Sequence, residues 1–143
     1  MHGWRACGVV AARPLCFDGR VRHLVAIGLA GFAGALARYG GVRLVHAWSG
    51  DAFPLGTLAV NVVGSFVLGL VIATDAVRPL DQDLRAALAV GFCGSFTTMS
   101  AFSFDTLALV EKGQPGLAVA NVAANLGICL LAVWAGTVVA RGG

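Results

Sequence analysis

Polar side chains recur at helical spacing inside two long apolar runs of the sequence. The two stripes are formed by Thr57, Asn61 and Ser65 and by Asn121, Asn125 and Cys129. Because residues four apart share one face of an α-helix, each stripe faces a single direction. Asn amides and Ser or Thr hydroxyls can donate hydrogen bonds, either between helices or to a polar solute. Two stripes in one small protein favour a lined pathway over helix packing alone.

A third apolar run contains the most unusual segment, between Gly91 and Asp105, where two glycines and five hydroxyl residues occur together. Ser and Thr can satisfy backbone groups that a helix break sets free. A break at membrane depth is tolerated inside protein or beside water, and its free carbonyl and N–H groups can bind ions. Phe96, Phe102 and Phe104 interleave with the hydroxyls, and the electropositive edge of an aromatic ring can face an anion. The segment therefore predicts a broken helix beside an ion path.

Charge is almost absent from these runs. Arg38 is the only charged residue deep in any of them, and two interpretations stay open: it reaches the membrane surface, or it attracts anions or anchors a helix end. The carboxylates Asp75 and Asp105 lie at the ends of runs, which argues against a proton-coupled exporter. The sequence shows no nucleophile–base pair, phosphate-binding loop or metal-ligand cluster, so we do not expect an enzyme.

The elements that position these residues follow from composition. Of 143 residues, 58% are hydrophobic and 12% are charged, whereas a soluble domain has about 25% charged residues. Four apolar runs, at residues 24–42, 52–74, 86–104 and 113–140, are each near the roughly 20 residues that span a bilayer. Backbone groups in lipid must pair internally, so the runs predict helices. We expect an all-α membrane protein with four transmembrane helices, the third broken mid-membrane.

The short connections and the two ends complete the prediction. Pro79 should stop the second helix, and Asp81 or Asp83 should cap the third. We expect residues 1–20 to be a disordered tail and residues 21–143 to form the four-helix unit. Lys and Arg favour cytoplasmic termini by seven to three, but only by four to three without the tail. The net charge of +3 indicates no nucleic-acid partner, and the four cysteines contain no CxxC pair.

Three motifs in this order are similar to those of the CrcB/Fluc fluoride channels, and the similarity extends over all four apolar runs. The segments are Gly31-Phe-Ala-Gly34-Ala-Leu-Ala-Arg38-Tyr39, Gly56-Thr57-Leu-Ala-Val-Asn61-Val-Val-Gly64-Ser65-Phe66 and Gly91-Phe92-Cys93-Gly94-Ser-Phe-Thr97-Thr98-Met-Ser100-Ala-Phe102-Ser103. The resemblance implies a four-helix subunit of the plasma membrane that pairs with an antiparallel second copy or a paralogous subunit. Such dual-topology dimers contain two pores that pass fluoride and exclude chloride. Fluoride leaves the cell through these pores passively.

The resemblance also assigns roles to individual residues. It places a structural sodium ion at the dimer centre, held by the backbone carbonyls of Gly94 and Thr97. The family's pore asparagine matches Asn61, its two pore phenylalanines match Met99 and Phe102, and its pore-lining hydroxyl matches Ser100 or Ser103. We expect the fluoride pore to include Thr57, Asn125 and Arg38 as well. Two of these depart from the family pattern, which usually has a phenylalanine at the position of Met99 and a serine at that of Asn125. The departures favour a heterodimer as a hypothesis, in which a paralogue supplies the missing ring.

Two alternatives to a channel stay open at the level of sequence. A small exporter of organic cations would need an intramembrane carboxylate and an aromatic cage, and the carboxylate is missing from the apolar runs. A membrane scaffold without transport would explain the 20 glycines through close helix packing. It would leave the two Asn stripes and the hydroxyl-rich segment unexplained.

Overall fold

The computed structural model describes residues 17–50 and 52–142. Residues 1–16 of the predicted N-terminal tail lie outside this part of the chain, so the tail stays a prediction there. Residues 17–20 form the first turn of helix α1, which spans Phe17–Ser49. Every regular element of the described residues is helical.

Four helical segments are long and apolar enough to cross a membrane, which confirms that part of the sequence prediction. They are α1, α2 (Leu55–Val77), a third segment over Gln82–Glu111 and α6 (Pro115–Gly142). Each ends beyond the C-terminal end of the apolar run that predicted it, and α1 and the third segment also begin before their runs. Polar residues such as Arg22 and Arg43 fit at helix ends, near water. Only 6% of the α1 window and 11% of the α6 window are buried, against 39% for α2. Helix α2 is therefore central, and most of the surface of α1 and α6 is not covered by the rest of this chain.

The third segment is not one continuous α-helix. It comprises α3 (Gln82–Ala86), a π-helical stretch (Ala87–Cys93), α4 (Gly94–Phe96) and α5 (Met99–Glu111). Thr97 and Thr98 lie between α4 and α5 with extended backbone, at ψ angles of 158° and 110°. The Thr98 hydroxyl then accepts a hydrogen bond from Ala101 N–H at 3.1 Å and caps α5. A threonine in this position stabilises the start of a new helix.

Short polar contacts fix the connection between the second and third segments. Asp81 caps α3 by accepting hydrogen bonds from the N–H groups of Asp83 and Leu84, at 3.0 and 3.3 Å. Of the two predicted caps, Asp81 is therefore correct. Asp83 instead pairs with Arg22 at 2.6 Å and with His23 at 2.8 Å, which ties α3 to the start of α1.

Glycines allow close packing of the helices at particular points. A Cβ atom at Gly69 would overlap the Val133 carbonyl, and one at Gly136 would overlap the Phe66 carbonyl, so α2 and α6 touch backbone to backbone. This confirms the role expected of small residues in membrane helices. Packing within this chain does not account for Gly28 and Gly127, because an added Cβ atom at either position would meet nothing within 4 Å.

Candidate functional site

The polar residues of the second, third and fourth helical segments converge on one cleft of about 310 Å³. It opens where α4 ends and α5 begins, and α2 and α6 form its other walls. Six of the predicted site residues line it. They are Asn61, Met99, Phe102, Asn125, Gly94 and Thr97, and the other lining residues are Gly64, Ser65, Leu68, Ala89, Cys93, Thr98, Leu126 and Cys129.

Asn61 joins α2 to the interrupted segment through three hydrogen bonds. Its Oδ1 accepts from Thr98 N–H at 2.7 Å, and its Nδ2 donates to the Thr98 carbonyl at 3.2 Å and to Asn125 Oδ1 at 3.0 Å. A backbone N–H can only donate, so the Thr98 contact fixes which side of the Asn61 amide is oxygen. Both Nδ2 hydrogens of Asn61 therefore point at protein acceptors.

The hydrogen bonds continue from Asn125 along α6 and back to α5. Asn125 Nδ2 donates to the Asn121 carbonyl at 3.1 Å and to Asn121 Oδ1 at 3.0 Å. Asn121 Nδ2 donates to Thr106 Oγ1 at 2.8 Å, and that hydroxyl donates to the Phe102 carbonyl at 2.7 Å. The donors in this polar chain therefore all point in one direction, from Asn61 on α2 through α6 to the Phe102 carbonyl on α5. Asn121 and Asn125 are almost fully buried, so these bonds are made away from water.

Of this polar chain, sequence reasoning singled out Asn121 only as a member of a stripe and did not single out Thr106. The signal available for Asn121 was its spacing of four from Asn125. Thr106 gave no such signal, because its role depends on how α5 and α6 pack.

The same contacts deprive two backbone carbonyls of their helical partners. In a continuous helix, Thr98 N–H would donate to the Gly94 carbonyl, but it donates to Asn61 Oδ1 instead. Likewise, Ala101 N–H would donate to the Thr97 carbonyl, but it donates to the Thr98 hydroxyl. Gly94 and Thr97 are the residues whose carbonyls the resemblance implies as ion ligands, and both carbonyls lose the donor that a regular helix would supply.

The aromatic and sulfur residues of the cleft differ in their exposure. Phe102 is 7% exposed and forms part of the wall, whereas Met99 is 68% exposed and lies at the rim. Phe96 does not line the cleft but stacks on Phe92, with ring centroids 5.6 Å apart. Phe104 is 71% exposed and borders a separate, smaller cavity.

The remaining predicted pore residues are not among the described residues that line the cleft. The Ser100 hydroxyl lies 3.2 Å from that of Thr98, and the Ser103 hydroxyl donates to the Met99 carbonyl at 2.9 Å. Both serines are exposed on α5. Arg38 is half-buried on α1, at helical spacing from Gly34 and Gly41, which pack against Phe92 and Val60.

Thr57 is buried and makes a contact that the sequence did not predict. Its hydroxyl donates to Asp105 Oδ2 at 2.6 Å. Asp105 ends the apolar run but not the helix, because α5 continues to Glu111 and places this carboxylate inside it. Asp105, Phe104, His46 and Lys112 border a second cavity of about 190 Å³. Thr57 therefore binds a carboxylate on α5, one helical turn before Asn61, and does not itself line the cleft.

The fold and the cleft define a class of protein: a multi-pass membrane protein whose intramembrane polar groups converge on an interrupted helix. A family model described as CrcB-like protein, Camphor Resistance (CrcB), matches residues 25–137. The chain belongs to this family, as the three sequence motifs predicted.

Several curated relatives carry the name "Fluoride-specific ion channel FluC". The one from Geobacter sulfurreducens is 45% identical over 119 residues, which cover 82% of this chain and 96% of the relative. The one from Geobacter metallireducens is 44% identical with the same coverage. The one from Methylococcus capsulatus is 47% identical, and the matched residues cover 52% of its length. These names describe an ion channel rather than an enzyme.

Proposed function

We propose that this chain is a subunit of a fluoride-selective channel that lowers cytoplasmic fluoride by passive export across the cell membrane. Membership of the CrcB family and relatives named fluoride-specific ion channels support this function and argue against an enzyme. The observation that carries it is the single cleft where Asn61, Asn125 and Phe102 meet the interrupted segment. The exporter of organic cations and the non-transporting scaffold gain no support from these relatives.

The cleft offers chemistry suited to a small, strongly hydrated anion. A selective pore must replace the water around the ion with donors held in a narrow passage. In the single chain, the Nδ2 hydrogens of Asn61 already bind Asn125 Oδ1 and the Thr98 carbonyl. Fluoride would therefore exchange with Asn125 Oδ1 as the acceptor for Asn61, with the electropositive edge of Phe102 beside it. The Ser65 hydroxyl in the cleft wall can serve as a further donor.

The pore would be completed by a second subunit in antiparallel orientation. Helix α5 exposes Met99 at the cleft rim and, close to it in sequence, Ser100 and Ser103, a mixture of apolar surface and hydroxyls. A partner packed on this rim would bring these side chains into the passage. The flanking Lys and Arg residues, four to three when residues 1–20 are left out, allow either orientation. Thr57 and Arg38 do not line the cleft and would act on ions only near the ends of the passage. This partner could be a second copy of the chain or a paralogous subunit, because the exposed side chains on α5 suit either one.

A sodium ion at the dimer centre fits the carbonyls of Gly94 and Thr97. Neither carbonyl receives its helical N–H donor, and backbone carbonyl oxygens are ligands that suit a hard cation. The break at Thr97 and Thr98 lies near the middle of the segment Gln82–Glu111, which would place it at mid-membrane depth. Bound sodium would supply positive charge that holds two subunits together. Replacing sodium by N-methylglucamine should then shift the purified protein from dimer to monomer, and an unchanged dimer would contradict the site.

The channel function is tested by fluoride-electrode measurements of efflux from liposomes containing the purified chain. We expect Phe102→Ile to lower fluoride efflux by ~10-fold, because it removes an aromatic edge from the cleft while keeping an apolar side chain. The matched control is Phe32→Ile on the outer face of α1, where Phe32 is 66% exposed, and it should leave efflux unchanged. Equal efflux from both variants would contradict the assignment of the cleft as the pore.

The subunit composition is tested in the same assay. If the chain alone gives robust efflux, an obligate heterodimer is excluded. If efflux appears only after co-expression with a paralogous subunit, the heterodimer is supported. Absence of fluoride efflux in both preparations would defeat the channel function.

A further inference from the structure

All sulfur-bearing side chains of the described residues line the same cleft. Residues 17–50 and 52–142 contain two cysteines, Cys93 and Cys129, and one methionine, Met99. The cleft is bordered by all three, although they come from two different helical segments and from both sides of the interruption. Both cysteines are free thiols. Packing alone would explain one buried cysteine as a small apolar side chain, but it does not explain why all three sulfur residues border one cleft.

Hydrogen bonds around the cleft fix the backbone close to each of the three sulfur residues. Cys93 lies one turn before Thr97, and its carbonyl accepts two hydrogen bonds from Thr97, both at 3.0 Å. Met99 directly follows Thr98, which is bonded to Asn61 at 2.7 Å. Cys129 lies one turn after Asn125, which accepts from the same Asn61 at 3.0 Å. Each sulfur residue is thus within one helical turn of a residue held in this bonded group.

The exposure of the three side chains suits a site that a small ion can enter. Cys93 is 1% exposed and forms the floor, Cys129 is half-buried in the wall, and Met99 is 68% exposed at the rim. Methionine is flexible, so its thioether can fold inward over a bound ion. Two thiols and a thioether form a soft ligand set, which prefers monovalent copper and its analogue silver over hard cations such as sodium or magnesium.

We propose that the cleft is a binding site for a soft monovalent metal ion, Cu(I) or Ag(I), held by Cys93, Cys129 and Met99. Each thiol loses its proton to the buffer as its sulfur binds the metal, and no electron is transferred. The bound ion, with the Met99 side chain folded over it, obstructs the passage of fluoride beside Asn61 and Phe102. Metal binding stands on the cleft geometry alone, whereas the block rests on the proposed channel function.

Binding is tested with Ag(I) by isothermal titration calorimetry of the full chain in chloride-free buffer. Cys7 and Cys16 lie outside the described residues and could bind silver themselves, so the background protein carries Cys7→Ser and Cys16→Ser. We expect about one Ag(I) per chain and release of about two protons, measured by comparing buffers of different ionisation enthalpy. Adding Cys93→Ser or Cys129→Ser should weaken binding by at least ~10-fold, and Met99→Leu should weaken it less. Unchanged affinity in both serine variants would overturn the proposal.

Fluoride efflux measured on the same proteins separates the site from the channel. Ag(I) should stop efflux in the background protein and leave it unchanged when both Cys93 and Cys129 are serine. If Ag(I) binding measured by calorimetry needs both cysteines but Ag(I) does not block fluoride efflux, the metal site is supported and the cleft is not the fluoride path. Block that persists without the two cysteines would overturn the proposed site.

Discussion

The hydrogen bonds of Asn61 allow a quantitative prediction for Asn61→Ala. The substitution removes the acceptor of Thr98 N–H at 2.7 Å and the donor to the Thr98 carbonyl and to Asn125 Oδ1. Thr98 is buried, so its N–H would be left without a partner unless the backbone moves. An unpaired buried N–H costs about 1–3 kcal/mol, and two intramembrane side-chain bonds contribute about 0.6 kcal/mol each. We therefore expect a loss of about 2–4 kcal/mol in the free energy of unfolding.

The matched control for Asn61→Ala is Thr106→Val at the far end of the same polar chain. It deprives Asn121 Nδ2 of its acceptor at 2.8 Å but leaves Thr98 and the interruption untouched. We expect a smaller loss of about 1–3 kcal/mol, with fluoride efflux largely kept. The assay is equilibrium unfolding in mixed micelles, paired with efflux from liposomes. If Asn61→Ala unfolds and transports like the unmodified chain, the hydrogen bonds of Asn61 do not stabilise the interruption as we infer.

Further predictions concern packing, capping and the cleft wall. Gly69→Val should cost about 1–3 kcal/mol or more, because its side chain meets the facing backbone of α6, whereas Gly127→Ala should not destabilise the fold; equal unfolding free energies would contradict the close packing. Asp81→Ala should lose about 0.5–2 kcal/mol with the cap of α3, and Asp81→Ser should restore most of it; an unchanged midpoint in chemical unfolding would disprove the cap. Phe102→Ala should cost about 3–5 kcal/mol because the ring is buried, and Met99→Leu less than about 1.5 kcal/mol; the reverse order in mixed-micelle unfolding would show that the two side chains are misplaced.

The fold followed from the sequence because its main signals are local. Apolar runs near the length of a bilayer and few charges were enough to predict four spanning helices. Asp81 before Gln82 and Pro79 after α2 marked two helix ends for the same reason, since a cap or a proline acts within one turn. The apolar runs end before the helices do, because a helix continues past the run wherever water or other polar groups surround its side chains.

The site could be predicted only in part, because hydrogen bonds between helices are not local. The spacing of Asn61, Asn121 and Asn125 indicated polar faces, but not that they join into one directed chain. Nor did spacing show that Thr57 binds Asp105, since that contact depends on how α2 meets α5. The assignments of individual pore residues and of the sodium ligands rest on family resemblance and stay predictions.

Parallel efflux recordings with fluoride- and chloride-selective electrodes test whether this chain conducts fluoride and excludes chloride. Liposomes loaded with both anions and containing the purified chain, alone and co-expressed with a paralogous subunit, are compared with protein-free liposomes. We expect rapid loss of fluoride while chloride is retained. Retention of both anions, or equal loss of both, in every preparation would contradict it.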